Sequence, residues 1–146
     1  MRLHTASEII SLARKLENES AEFYEELPRK YAKNEDVLHS FAEENRRNVV
    51  QIERAYYGAI SDAIEGGFAF DMEADDYIFE ASLAQNARYH DALDKAIKIE
   101  GQITRFYSDA AEQSQSLMAD VSRVFKLLTQ KRNARRPKLE SLLNNT

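Results

Sequence analysis

Apolar residues recur at three- and four-residue spacing over four long stretches of the chain, the period of amphipathic helices. Ile9, Leu12, Ala13, Leu16, Ser20, Phe23 and Leu27 form the first stripe. Thr5 or Ser7 supplies its cap, and Glu8 an acid for its first turn. Pro28 interrupts the pattern, so the spacing predicts a kink or a stop there, with Tyr31 packing in a last turn. Asn34-Glu35-Asp36 reads as the cap and acidic first turn of a second helix. Its stripe runs through Val37, Leu38, Phe41, Ala42, Val49, Ile52, Ala55 and Tyr56 and ends at Gly66-Gly67. Two polar residues, Asn45 and Asn48, stand inside that stripe.

Between Phe68 and Met72 the pattern turns apolar and irregular, and Glu73-Ala74-Asp75-Asp76 opens a short predicted helix reaching Leu83. The aromatics here, Phe68, Phe70, Tyr77 and Phe79, read as a seal on the flank of the core rather than a cofactor site. Helical period returns from about Ala87 to Gln115, with Leu93, Ala96, Ile97, Ile99, Glu100, Ile103, Phe106 and Ala110 inward. It resumes from about Leu117 along Val121, Val124, Phe125, Leu128, Arg132, Arg135 and Leu139. Pro137 predicts a kink or early end of this last helix, and the tail from 140 to 146 is expected to fray. The whole is one all-α domain: a helical hairpin over about 5–65, a crossover over about 66–86 and a second hairpin over about 87–139.

Composition agrees with a single helical domain of 146 residues, 43% apolar and 31% charged, with only four glycines and two prolines. The absence of cysteine excludes disulfides, thiolate metal sites and a thiol nucleophile. No apolar run is long enough to span a bilayer and no signal-peptide core follows Met1, so the expected location is the cytoplasm. A net charge of −5 argues against nucleic acid as a partner. Lys126, Lys131, Arg132, Arg135, Arg136 and Lys138 cluster near the C-terminus, and read first as a complement to a helix dipole and a solvated face.

Candidate chemistry comes from an octapeptide that occurs twice. Glu17-Asn18-Glu19-Ser20-Ala21-Glu22-Phe23-Tyr24 is matched by Glu100-Gly101-Gln102-Ile103-Thr104-Arg105-Phe106-Tyr107, and the two Glu residues lie 83 positions apart (100 − 17). Ala13 matches Ala96, and Leu16 matches Ile99. The pattern points to a duplicated helix pair. One inward Glu on each of two helices is half of a di-metal site in a four-helix bundle, the other half being Glu-x-x-His on each remaining helix.

Glu-x5-Phe-Tyr, a second helix, an aromatic crossover and the same again resembles the rubrerythrin-like branch of the ferritin-like superfamily, over about Ser7 to Leu139. The resemblance implies a ferritin-like four-helix bundle made of two helical hairpins joined by a long crossover containing a short helix. In members with an intact site it implies two iron or manganese ions and ferroxidase or peroxidase activity. The rubredoxin domain of longer members is excluded by the lack of cysteine.

By position, Glu17 and Glu100 match the single Glu ligands. Asn45 and Asn48 fall where one Glu-x-x-His belongs, and Arg132 and Arg135 where the other does. A helix 2 register three residues later would offer Asn48 and Gln51 but bury Glu44 and Asn45, and the earlier one is preferred. No Glu-x-x-His occurs anywhere in the chain.

An arginine donates no lone pair and keeps its proton, so this set predicts no metal. The expectation is a buried cluster in which Arg132 and Arg135 pair with Glu17 and Glu100, while Asn45 and Asn48 satisfy the remaining lone pairs and the charges sum to zero. Two other arrangements stay open: arginines that snorkel to solvent, or a single metal held by Glu17, Glu100 and Glu22 or a histidine.

Three functions follow. The first is a non-enzymatic scaffold that binds itself, as a homodimer, or another protein. The second is a residual iron or manganese oxidoreductase. The third is an anion or small-ligand site floored by Arg132 and Arg135. Tyr56 and Tyr57, with the crossover aromatics, form the expected partner surface.

Overall fold

The computed structural model describes residues 1–59, 70–115 and 118–146, with Ala59 described in its backbone only. They form an all-helical bundle: α1 (Ala6–Tyr31), α2 (Glu35–Ala59), α3 (Tyr89–Ser114), α4 (Ala119–Asn133) and α5 (Arg135–Asn144). Helix α1 packs on α2 and α3 on α4, while α2 meets α4 and α3 meets α5. The apolar stripes converge on one core that includes Ile9, Leu16, Leu38, Ile52, Leu93, Ile103, Phe125 and Leu128. No described helix is long and apolar enough to cross a membrane.

Thr5 is the cap of α1. Its Oγ1 accepts from the Glu8 N–H at 3.2 Å, and Glu8 Oε1 accepts in return from the Thr5 N–H at 3.0 Å, a closed capping box. The backbone N–H groups of His4 and Thr5 hold the Glu8 carboxyl below its ordinary range.

Helix α1 does not stop at Pro28. It runs three residues further, because Pro28 and Leu27 are buried and the last turn is held by tertiary bonds. The Tyr31 hydroxyl donates to the Ala87 carbonyl at 2.8 Å, and its ring lies 5.3 Å from that of Tyr89. The helix closes at Ala32, left-handed at φ 51°, whose N–H bonds the Pro28 carbonyl. Asn34 does not use its side chain to cap α2. At φ 55° its Oδ1 accepts from the Tyr89 hydroxyl at 2.6 Å instead. The predicted continuation of α2 to Gly66-Gly67 lies outside the described residues, as does Phe68.

The crossover is a strap and not the predicted helix to Leu83. Among its described residues the helical piece is a 3-10 turn, Ala74–Asp76. Two short strands precede α1 and this turn, β1 (Arg2–Leu3) and β2 (Met72–Glu73), paired antiparallel with Leu3 opposite Met72. The Tyr77 hydroxyl then donates to Asp109 Oδ2 at 2.7 Å, and its ring meets Phe106 edge-on. Lys30 Nζ holds the Ala84 carbonyl at 2.9 Å. These anchors to α1 and α3 tie down the acids and aromatics that a local reading assigns to a helix. Phe70 and Tyr77 are buried and Phe79 half-buried against the core.

The last helix breaks before Pro137, not at it. Helix α4 ends at Asn133, Ala134 forms the joint, and Pro137 occupies the third position of α5, where N–H groups lack intrahelical partners in any case. The segment expected to fray is helical to Asn144, with Leu139 fully buried.

Candidate functional site: a buried guanidinium–carboxylate cluster

Six polar side chains interrupt the apolar stripes, and the bundle brings all six to its centre. Glu17 arrives from α1, Asn45 and Asn48 from α2, Glu100 from α3, Arg132 from the last turn of α4 and Arg135 from the first residue of α5. Each is buried; Arg132 exposes 0% of its surface and Arg135 2%. The basic segment therefore divides. Arg136 and Lys138 face solvent, while the two arginines three residues apart turn inward and do not snorkel.

Arg132 stands between the two duplicated glutamates. Nη1 donates to Glu100 Oε1 at 2.6 Å, and Nη2 donates to Glu17 Oε2 and, at 3.0 Å, to Ser20 Oγ. Burial alone pulls a guanidinium toward neutrality. Here the charges of Glu100 and Glu17 outweigh it, so Arg132 holds its proton more firmly than an arginine in water.

Arg135 also reaches Glu100 Oε1, at 2.9 Å, but its main partner lies elsewhere. Nε and Nη2 both donate to Glu44 Oε1, at 3.2 and 2.8 Å, and Nη2 donates to the Phe41 carbonyl at 3.1 Å. The guanidinium lies over the Phe41 ring, 4.7 Å from its centre, a cation–π contact.

The duplicated tyrosines complete the arrangement by exchange. The Tyr24 hydroxyl donates to Glu100 Oε1 at 2.8 Å, and the Tyr107 hydroxyl to Glu17 Oε1 at 2.6 Å. Burial pushes both phenols far above their ordinary range, reinforced by the neighbouring carboxylates, so both stay protonated donors.

Two expectations need correction. Asn48 Nδ2 does reach Glu17 Oε1, at 3.3 Å, but Asn45 bonds no carboxylate; its Nδ2 donates to Ser20 Oγ at 2.8 Å. The charges do not sum to zero, because Glu44 makes three carboxylates against two guanidiniums. Glu44 escaped the sequence reading because it flanks the buried stripe of α2, and Arg135 reaches it from the first residue of α5, a contact between segments distant in sequence. The closing Tyr of each repeat was the legible sign of the hydroxyl donors.

The donor set does not fit the di-metal centre that the resemblance implies. Both glutamates are engaged by Arg132, amides stand at 45 and 48, and guanidiniums at 132 and 135 offer no lone pair. Among the described residues no group of three or more His, Asp or Glu is arranged to hold a metal ion. Glu22, His39 and His90 are exposed, and His4 lies near the chain start with Nδ1 3.3 Å from the Phe70 carbonyl. With Arg132 and Arg135 buried, neither forms the floor of an open pocket. No protein-family model, no curated protein and no solved structure matches the chain.

Proposed function

We propose that this chain is a ferritin-like protein of the rubrerythrin-like branch in which a guanidinium cluster stands in place of a di-metal centre, and that it serves as a non-enzymatic scaffold for self-association or a protein partner. One observation carries the reading: the Arg132 guanidinium, fully buried, bridges Glu17 and Glu100, the two duplicated glutamates. A tethered cation in that position supplies the positive charge a metal would supply and leaves no coordination site for oxygen or peroxide. The strapped crossover and the duplicated helix pair support the same family reading.

The surface for a partner follows from what remains exposed. Phe70 and Tyr77 are turned into the core, as is Tyr56, so the outer ridge of α2 takes their place. Val50 and Tyr57 lie seven residues apart there, 46% and 61% exposed.

Elemental analysis after anaerobic incubation with ferrous iron, and separately with manganese, tests the reading. The expected result is no stoichiometric metal. A pair of metals per chain would overturn it and restore an oxidoreductase. Sedimentation of the metal-free chain then reads self-association, which Tyr57→Ser with Val50→Ser is expected to weaken.

A further inference from the structure

Four buried side-chain atoms lack a hydrogen-bond partner among the described residues, and all four belong to the central cluster: Asn45 Oδ1, Asn48 Oδ1, Glu100 Oε2 and Arg132 Nε. Buried polar groups are rarely left so. Three of the four are tied to one edge of the Arg132 guanidinium. Nε–H and the outer Nη2 hydrogen share that edge, as Arg135 demonstrates by holding Glu44 Oε1 with both nitrogens. On Arg132 the Nη2 end of the edge is engaged by Glu17 and Ser20. Asn48 is bonded to that Glu17 and Asn45 to that Ser20.

The amide orientations follow from the network. Ser20 Oγ gives its one hydrogen to the Glu17 carbonyl at 3.0 Å and accepts from Arg132, so Asn45 must meet it with Nδ2. Asn48 meets a carboxylate oxygen and must also present Nδ2. Turning either amide over would set oxygen against oxygen. Among the described residues both Oδ1 atoms are therefore acceptors without a donor, and Arg132 Nε is a donor without an acceptor, all three linked through Glu17 and Ser20.

We infer that the bundle centre contains a binding site for one water molecule, which accepts from Arg132 Nε and donates to Asn45 Oδ1 and Asn48 Oδ1. The charge pattern selects the ligand. A cation would face the guanidinium N–H, and an anion would face two amide oxygens. A neutral molecule with two hydrogens and a lone pair satisfies all three atoms, and buried waters commonly make about three such bonds. Asn45 and Asn48 are then water ligands, three residues apart on α2. This holds on the hydrogen-bond inventory alone and does not depend on the function proposed above.

A high-resolution crystal structure of the unmodified full chain tests the site, with crystals also soaked in bromide and in rubidium for anomalous scattering. The expected result is a single density peak about 2.7–3.2 Å from all three atoms, with no anomalous signal in either soak. An anomalous peak would overturn the inference in favour of an anion or a cation. No peak would overturn it as well, whether Arg132 Nε then bonds an asparagine oxygen directly or the site is dry. In solution, an NMR cross-peak between long-lived water and the Asn45 or Asn48 side-chain amide is expected, and Asn48→Leu should abolish it; its persistence in a folded Asn48→Leu variant would also count against the site.

Discussion

The Tyr24 hydroxyl of the first repeat donates to Glu100 of the second at 2.8 Å. Its counterpart Tyr107 donates to Glu17 at 2.6 Å, so each copy of the octapeptide completes the other's carboxylate. Seven residues separate Glu from Tyr in both copies, two helical turns, which places both on one inward face. The exchange ties α1 to α3 across the bundle, and at Glu100 Oε1 it shares its acceptor with Arg132 and Arg135.

Removing one hydroxyl costs a buried hydrogen bond to a charged group, although Glu100 Oε1 keeps Arg132 and Arg135 as donors and Glu17 Oε1 keeps Asn48. Tyr24→Phe and Tyr107→Phe should each destabilise the fold by about 1–3 kcal/mol. Urea unfolding measures it. A cost well below that range for both would mean the hydroxyls are bystanders to the cluster.

The same phenols predict an alkaline limit. Their folded pKa values lie above the ordinary value of 10.0, so above that pH the unfolded chain releases protons that the native chain retains. Their contribution to stability is whole below pH 10 and drains as pH rises beyond it, by about 1.4 kcal/mol per pH unit for each tyrosine. Unfolding free energies on either side of this value should show the slope, and the Tyr24→Phe, Tyr107→Phe double variant should lessen it, leaving the share of Tyr31, Tyr77 and Tyr89, whose phenols burial also raises.

Arg132 neutralises two buried carboxylates at once. Arg132→Met should therefore destabilise by about 3–5 kcal/mol, the cost of breaking a buried ion pair from one side. Adding Glu17→Gln and Glu100→Gln to that variant should recover much of the loss, because no charge is then left without a partner. Failure to recover would show that packing of the arginine stem, rather than its charge, holds the centre.

Arg135 anchors the C-terminal helix through a side-on grip on Glu44 and a bond to the Phe41 carbonyl. Lysine keeps the charge but not the planar fork. Arg135→Lys is expected to cost about 1–3 kcal/mol and to raise amide hydrogen exchange across α5 more than across α1. Equal exchange in both helices would contradict an anchoring role.

Much of this architecture is local in origin. Three-four spacing identified the inward positions 45, 48, 100, 132 and 135 because helical period is a property of short stretches, and it holds for a polar residue as for an apolar one, while the repeated octapeptide singled out Glu17. Proline was the weaker guide. Pro28 lies within α1 because tertiary bonds at Tyr31 hold the turn that follows it, and Pro137 fits the opening of α5 once the chain has already broken at Ala134. The strap over 70–88 was misread as partly helical because its order comes from Asp109, Lys30 and strand β1, all distant in sequence.

By itself the sequence determined that four helical stripes exist and that each presents polar residues to a common interior, since both follow from spacing along one helix. Only the tertiary structure decided that Arg132 takes both duplicated glutamates, that Arg135 turns to Glu44, and that Asn45 bonds a serine. Those choices depend on directional hydrogen bonds between helices whose relative tilt and depth no single stretch of chain encodes.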